Sequence, residues 1–280
     1  MKILVVGLGL IGGSVAKVLK KNSNFTVLGY DISNETLAAA LSSGAIDGIW
    51  DKNSKSDADL TVLAVSPKLA VSFIKENAGL LKKSSVVTDV CGIKSWIVNE
   101  LEPLCEKNGL MFIGGHPMAG KERGGFKNSD ENLFNRAFYI ITPTDNTNPQ
   151  AIEIVTQYIK ALNAAKITTT TPENHDRIIA FTSQIPHILA GAYVNSPSIE
   201  CRRGFSAGSF KDVSRVATVD ENLWSELFSL NNEHLLPELD NLIDNLIKYR
   251  DAIKSGDDAL LKETIKTGRI IKEKDIKEDR

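Results

Sequence analysis

Residues 2–16 read Lys2-Ile3-Leu4-Val5-Val6-Gly7-Leu8-Gly9-Leu10-Ile11-Gly12-Gly13-Ser14-Val15-Ala16. The apolar, β-branched run up to Val6 stops at Gly7, after which Ile11, Val15, Val18 and Leu19 recur at helical spacing. This pattern predicts a strand, a tight turn and a helix, with Gly7-x-Gly9-x-x-Gly12 as the turn. In such a turn the first glycine permits the sharp bend, the second lets backbone approach a pyrophosphate, and the third lets helix pack closely on strand. The free N–H groups and positive dipole end of the helix then face the phosphates. Gly7, Leu8, Gly9, Leu10, Ile11 and Gly12 are therefore candidate dinucleotide-binding residues.

Outward from the fingerprint, the run Phe25 to Tyr30 predicts a second strand ending at Asp31. It lies about twenty residues on, where an acidic side chain accepts hydrogen bonds from the adenosine ribose hydroxyls. A carboxylate there also repels a 2′-phosphate, and Ile32-Ser33-Asn34-Glu35 holds no cation to offset that, so NAD is favoured over NADP. The competing reading of Asp31, a cap for a helix over Asn34 to Leu41, leaves its coincidence with the fingerprint unexplained. Further strands are predicted at Leu60–Ala64, Val86–Asp89, Met111–Ile113 and Ala137–Ile141, alternating with helices at Lys68–Leu81, Ser95–Lys107 and Pro149–Leu162. That alternation specifies a doubly wound, mostly parallel α/β sheet of Rossmann type. Val65-Ser66-Pro67 follows a strand, which makes Ser66 and Pro67 further candidate cofactor contacts. The polar loop from Lys121 to Asn135 has the length of a flap.

After Thr168-Thr169-Thr170-Thr171-Pro172 only helical patterns follow, at Glu173–Val194, Glu221–His234 and Leu235–Lys254. Thr171 suits the cap and Pro172 the first turn of a helix. The division predicted is a dinucleotide-binding domain over 1–170 and an all-helical domain over 171–280. Leu235, Leu236, Leu239, Leu242, Ile243, Leu246 and Ile247 make an apolar stripe too broad for one helical layer to hide, so a homodimer is expected. The charged end from Lys272 reads as a fraying, solvated tail.

The chain has 280 residues, 42% hydrophobic and 24% charged, with a net charge of −2. That balance exerts no general pull toward nucleic acid or anionic membrane, and no stretch approaches the length of a membrane span. The three cysteines, Cys91, Cys105 and Cys201, are too scattered for a disulfide framework or a metal site, which points to the cytoplasm. Lys2, the apolar run to Ile11 and Ser14-Val15-Ala16 imitate a secretion signal, but the fingerprint accounts better for the placed glycines.

Of four histidines, His116 follows the strand-like Leu110 to Ile113, within Gly114-Gly115-His116-Pro117-Met118-Ala119-Gly120. The carboxyl end of such a strand is where ligands bind in an open α/β sheet; the plainer reading is a His-Pro turn. In the helical half, Ser183-Gln184-Ile185-Pro186-His187 carries a proline expected to kink its helix at His187. Asp212 and Arg215, three apart, would share a helix face. Taken singly, His187 reads as a hydrogen-bonded core histidine and the Asp212–Arg215 pair as a surface ion pair.

Taken together, Gly7 to Ser14, Asp89-Val90-Cys91-Gly92-Ile93-Lys94, His116 to Glu122, Ser183 to His187 and Phe210 to Ala217 resemble the prephenate and arogenate dehydrogenases of tyrosine biosynthesis. The likeness runs in order from residue 1 to about residue 230. It implies a Rossmann domain, a helical dimerisation domain, and oxidative decarboxylation of a cyclohexadienol with hydride transfer to NAD. It further implies that His116 accepts the ring hydroxyl proton, that Arg215 holds a substrate carboxylate, that His187 and Ser183 line the substrate pocket, and that Glu122 and Asp212 form an acidic pair gating access. The chemistry agrees: a neutral imidazole takes a proton near pH 7, a guanidinium grips a carboxylate bidentately, and aromatisation leaves no need for a metal.

Two departures stand out. Many members have a serine where this chain has Gly92, leaving Cys91, Ser95 or a water to contact His116, and a histidine is common at the position of Gln184. The nearest rival family, the β-hydroxyacid dehydrogenases, places a catalytic lysine where Lys211 stands, but its pattern wants Asn at the position of Arg215. A non-catalytic NAD-binding regulator would have no use for His116 or Arg215.

Overall fold

The computed structural model describes residues 1–278. Eight strands form one sheet: β1 (Lys2–Val6), β2 (Thr26–Tyr30), β3 (Gly48–Ile49), β4 (Leu60–Leu63), β5 (Val86–Asp89), β6 (Met111–Pro117), β7 (Phe138–Thr142) and β8 (Lys166–Thr169). Their order is β3-β2-β1-β4-β5-β6-β7-β8. Every pairing is parallel except β6 with β7. The helices among them are α1 (Leu10–Asn22), α2 (Asn34–Ser42), α3 (Pro67–Asn77), α4 (Ser95–Lys107) and α5 (Pro149–Ala161).

The sheet is buried on both faces, and the period-2 alternation of strand side chains sends neighbours to opposite cores. Ile3 and Val5 join Val15, Leu19, Tyr158 and Ile159 of α1 and α5. Leu4 and Val6 join Ile74, Ile97, Val98 and Leu101 of α3 and α4. β1 has β2 on one side and β4 on the other, so the connections diverge there and open a crevice at the strand ends, the usual ligand position in this architecture. Gly7 makes the turn in the left-handed region, at φ +86°. A Cβ on Gly12 would stand 1.8 Å from the Gly7 carbonyl oxygen, so only glycine lets α1 start this close to β1.

The predicted strands and helices of this half all appear; β3 and β8 were missed. β3 has two residues, too few for a periodicity, and in β8 the threonines of 168–169 read as a linker. Thr171 caps α6 (Pro172–Ile179) as expected, its hydroxyl oxygen accepting the Asn174 N–H at 3.2 Å. The kink forecast at His187 is replaced by a π-helical turn, Ala180–Gln184, which precedes α7 (Ile185–Val194). Pro186 sits in the first turn of α7, where its missing N–H costs nothing. Next come α8 (Gly208–Ser214), a 3-10 turn at Arg215–Ala217, and α9 (Glu221–Leu230). These elements belong to the same compact unit as the sheet, Met1–Asn232.

The second compact unit starts at Glu233 and consists of α10 (Asn232–Ser255) and α11 (Asp258–Glu278), joined through Gly256 at φ +68°. The break between α9 and α10 falls at Asn231, earlier than the predicted break after His234. The expected fraying tail is corrected: Lys272–Glu278 is helical, its charges satisfied by spaced pairs such as Arg269–Glu273. The last residues of that predicted tail, 279–280, lie outside the described residues. Among the described residues no helix is long and apolar enough to cross a membrane.

Candidate active site

At the sheet's carboxyl edge lies a cleft of about 640 Å³. Gly9, Leu10, Ile11, Ser66 and Pro67 line it together with His116, Glu122, Ser183, His187 and Arg215. Gly9 caps α1 without a side chain, and a Cβ there would meet nothing within 4 Å. The start of α1 is thus an open cradle of backbone N–H groups, the shape and polarity that a dinucleotide pyrophosphate fits. Gly7, Leu8 and Gly12 lie beneath the turn and shape it rather than line the cleft. Asp31, at the end of β2, holds the turn from outside the cleft: its carboxylate accepts the Leu8 N–H at 2.7 Å and the Ser33 N–H at 2.8 Å. The cap of α2 is Ser33, whose hydroxyl accepts from Thr36 N–H. A carboxylate offers about four acceptor positions, so Asp31 keeps capacity for ribose hydroxyls.

His116 stands inside β6, paired with Ile140 of β7; the strand continues past the predicted Ile113, and no turn begins at His-Pro. β6 is anchored by a buried acidic group. Asp89, with a fully buried side chain, accepts the Gly115 N–H at 3.1 Å and the Cys91 N–H at 2.9 Å. It also pairs with Lys94, equally buried. A Cβ on Gly115 would stand 2.8 Å from the Asp89 carbonyl oxygen, so glycine is required for this approach.

The side chain bonded to His116 is neither Cys91 nor Ser95. Its Nδ1 lies 2.9 Å from Nε2 of His175, and Nδ1 of His175 lies 2.7 Å from Oδ1 of Asp176. Asp176 in turn accepts the backbone N–H groups of Lys94 and Ser95 at 2.6 and 2.7 Å, where α4 begins. Burial holds the His116 imidazole well below its usual pKa, and the neighbouring His175 and Lys94 act in the same direction. His175 is lowered by burial too, against the opposing pull of Asp176. For Asp176 burial works upward, but the bonds from His175 and the α4 amides outweigh it and leave the carboxylate lowered. His116 is therefore neutral, and Asp176 at the end of the line is anionic.

Cys91 lines the cleft, but burial, reinforced by Asp89, raises its thiol well above the ordinary value, so it is not a thiolate. Opposite Gly92, space is available: a Cβ there would lie 4.0 Å from His116 Nε2 and 3.6 Å from the nearest Leu227 carbon. Gly92→Ser should therefore fold with an unchanged urea midpoint, its hydroxyl within reach of Nε2. A loss above about 1 kcal/mol would show that the gap is not usable.

On the helical side, the π-helical turn sets Ser183 and Gln184 toward the cleft, the role such turns often have at functional sites. Gln184 is buried and ties the π-helical turn to α9 and its C-cap, its Nε2 donating to the Leu227 carbonyl at 3.3 Å and its Oε1 accepting from Asn231 at 2.8 Å. His187 donates from Nδ1 to the Val216 carbonyl at 2.7 Å and lies 3.7 Å, centroid to centroid, from the Trp224 ring. Arg215 pairs with Glu122 at 2.6 Å. α8 ends at Ser214 and Arg215 opens a 3-10 turn; Arg215 lines the cleft and takes Glu122, not Asp212, as its ion-pair partner. Asp212 is exposed on α8, outside the cleft.

The sequence reading missed His175, Asp176 and Trp224. A signal existed for the first two: Pro172, His175, Asp176 and Ile179 are the buried face of α6. Two ionisable groups on the inward i, i+3, i+4, i+7 face of a helix must be paired.

The doubly wound sheet with its glycine cradle, and a neutral, half-buried histidine lining the same cleft, are the features of a dinucleotide-dependent oxidoreductase. The family model for the prephenate dehydrogenase nucleotide-binding domain matches residues 15–168, and that for the prephenate dehydrogenase dimerization domain matches residues 171–267. A prephenate dehydrogenase of Bacillus subtilis is 32% identical, over 95% of this chain and 74% of its own length. A cyclohexadienyl dehydrogenase of Zymomonas mobilis is 31% identical, over 94% and 92%. The solved A. aeolicus prephenate dehydrogenase, in complex with hydroxyphenyl propionate and NAD+, superposes with a TM-score of 0.87 over 98% of both chains at 27% identity. This chain belongs to the prephenate dehydrogenase family and carries that family's nucleotide-binding domain.

Proposed function

We propose that the chain oxidatively decarboxylates prephenate to 4-hydroxyphenylpyruvate, and that the cleft described above is where it does so. The observation carrying this reading is that a single cleft brings together the open N-terminus of α1, His116 and Arg215. NAD, when bound, supplies the acceptor for a hydride from the ring carbon that bears the hydroxyl. Gly7 to Gly12 and Asp31 would hold its pyrophosphate and ribose, with Ser66 and Pro67 alongside.

His116 takes the hydroxyl proton as the carbonyl forms, carbon dioxide departs leaving its bonding pair in the ring, and the ring becomes aromatic as the carbonyl oxygen takes that proton back to give the phenol. Arg215 exchanges its exposed partner Glu122 for a substrate carboxylate, with His187 and Ser183 lining the remainder of the pocket. Asp212 belongs to the approach rather than the pocket. Arogenate differs only in an amino group replacing the keto group and is the second substrate to test.

The functional boundary falls at 170/171, where Thr171 caps α6, dividing a nucleotide-binding half from a helical half. Leu236, Ile243, Leu246, Ile253 and Ile271 of α10 and α11 are exposed in the single chain, and a second copy covers them in a cytoplasmic homodimer.

Purified protein assayed with prephenate or arogenate, each with NAD or NADP, tests the reading: absorbance of reduced nicotinamide should rise fastest with prephenate and NAD, and no rise with either substrate would sink it. Arg215→Gln should raise KM by about 10- to 100-fold, the loss of a charge-assisted hydrogen bond of about 1.5–3 kcal/mol, with kcat little changed.

A further inference from the structure

His116, His175 and Asp176 form a line that ends on the first amides of α4. The side chains of His175 and Asp176 are 0% and 1% exposed, so neither touches the cleft or water. The hydrogen-bond sense of this line is dictated from its far end. Asp176 already accepts two backbone N–H groups and is anionic, so it can only accept from His175, which places that ring's proton on Nδ1. Nε2 of His175 is then a bare acceptor, and its 2.9 Å partner, Nδ1 of His116, must donate.

We infer that His175 and Asp176 are a positioning pair that fixes His116 as the Nδ1-protonated tautomer, so that its Nε2 lone pair is the base facing the cleft. This rests on the reading of the cleft as the site of dehydrogenation. The physical gain is that only one of two otherwise similar tautomers can act. When the substrate hydroxyl proton arrives at Nε2, the Nδ1–H bond to His175 stays in place and the ring need not move. The resulting imidazolium has a carboxylate two bonds along the line, which partly offsets the cost of its burial beside Lys94. Asp176 also explains how the histidine is oriented in a chain that has Gly92 opposite it: orientation comes from behind the ring, across β6, rather than from a hydroxyl in front.

The pair could instead merely tie α6 to α4, so the test needs readouts that such a tie would not move. Long-range 1H–15N correlation spectra of the 15N-histidine-labelled full-length protein near neutral pH report tautomers without any substrate. Wild-type His116 should show a protonated Nδ1 and a bare Nε2. In Asp176→Asn the NH2 group can take the place of Oδ1 and donate to His175, giving up the bond from Lys94 N–H while the amide oxygen keeps that from Ser95 N–H; this reverses the line and protonates His116 Nε2. Turnover should then fall by at least about 100-fold, as expected of a wrong tautomer, with KM within about threefold.

His175→Gln retains an acceptor for His116 Nδ1–H and should keep the wild-type tautomer and more turnover than His175→Leu, which has none. That pair decides the matter if Asp176→Asn fails to fold. A wild-type His116 protonated on Nε2, or a tautomer and kcat unmoved in His175→Leu, would overturn the assignment. A wild-type protein with the expected tautomer but no turnover of prephenate or arogenate would instead overturn the function proposed above.

Discussion

His116→Asn is expected to lower kcat by about 10²–10⁴-fold, the usual worth of a positioned general base, while leaving KM for prephenate nearly unchanged. Asparagine places an amide where Nδ1 stands, so the bond to His175 can persist and the fold is spared; what disappears is the base at the Nε2 position. The same residue sets the acid side of the pH profile. Because burial, with His175 and Lys94 adding to it, holds the His116 pKa well below 6.5, the deprotonated, active form persists as pH falls through that value. The acid limb of kcat/KM should therefore lie below pH 6.5. Steady-state kinetics between pH 5 and 9 checks both points, and a limb at or above 6.5, or normal turnover by the variant, contradicts the assignment.

Lys94→Met should destabilise the protein by about 3–5 kcal/mol, because it leaves the Asp89 carboxylate buried without its counter-charge. Asp89 is also the acceptor for Gly115 N–H and Cys91 N–H, so the loss falls on the segment that presents His116. Adding Asp89→Asn should recover much of the stability, since a neutral amide needs no counter-charge and can still accept one of those N–H groups. Urea denaturation followed by circular dichroism provides the measurement; a cost below about 1 kcal/mol for Lys94→Met would mean that burying Asp89 does not depend on this ion pair.

The α/β half was legible because its determinants are local. The glycine spacing from Gly7 to Gly12 and the apolar runs of β1, β2 and β4 to β7 each announce themselves within a few residues. β3 and β8 were illegible because a two-residue strand and a threonine-rich one carry no alternation. In the helical half periodicity identified helices but not their joints: Gln184 ends a π-helical turn and Arg215 begins a 3-10 turn, details set by packing. Family resemblance singled out His116, Arg215, His187, Ser183 and Glu122, and the fold gathers all five into one cleft. Asp212 alone stays outside it, exposed on α8.

The sequence by itself determined the architecture of the nucleotide-binding half, because a strand–glycine turn–helix unit acts on the backbone next to it. Which neighbour orients the base was decided only by tertiary structure. His116 and His175 are 59 residues apart, and Asp176 meets α4 across 82 and 81 residues. Nothing local couples them: they meet because β6, α4 and α6 bury their inward faces against one another, and once buried, each polar group must take the partner that packing supplies.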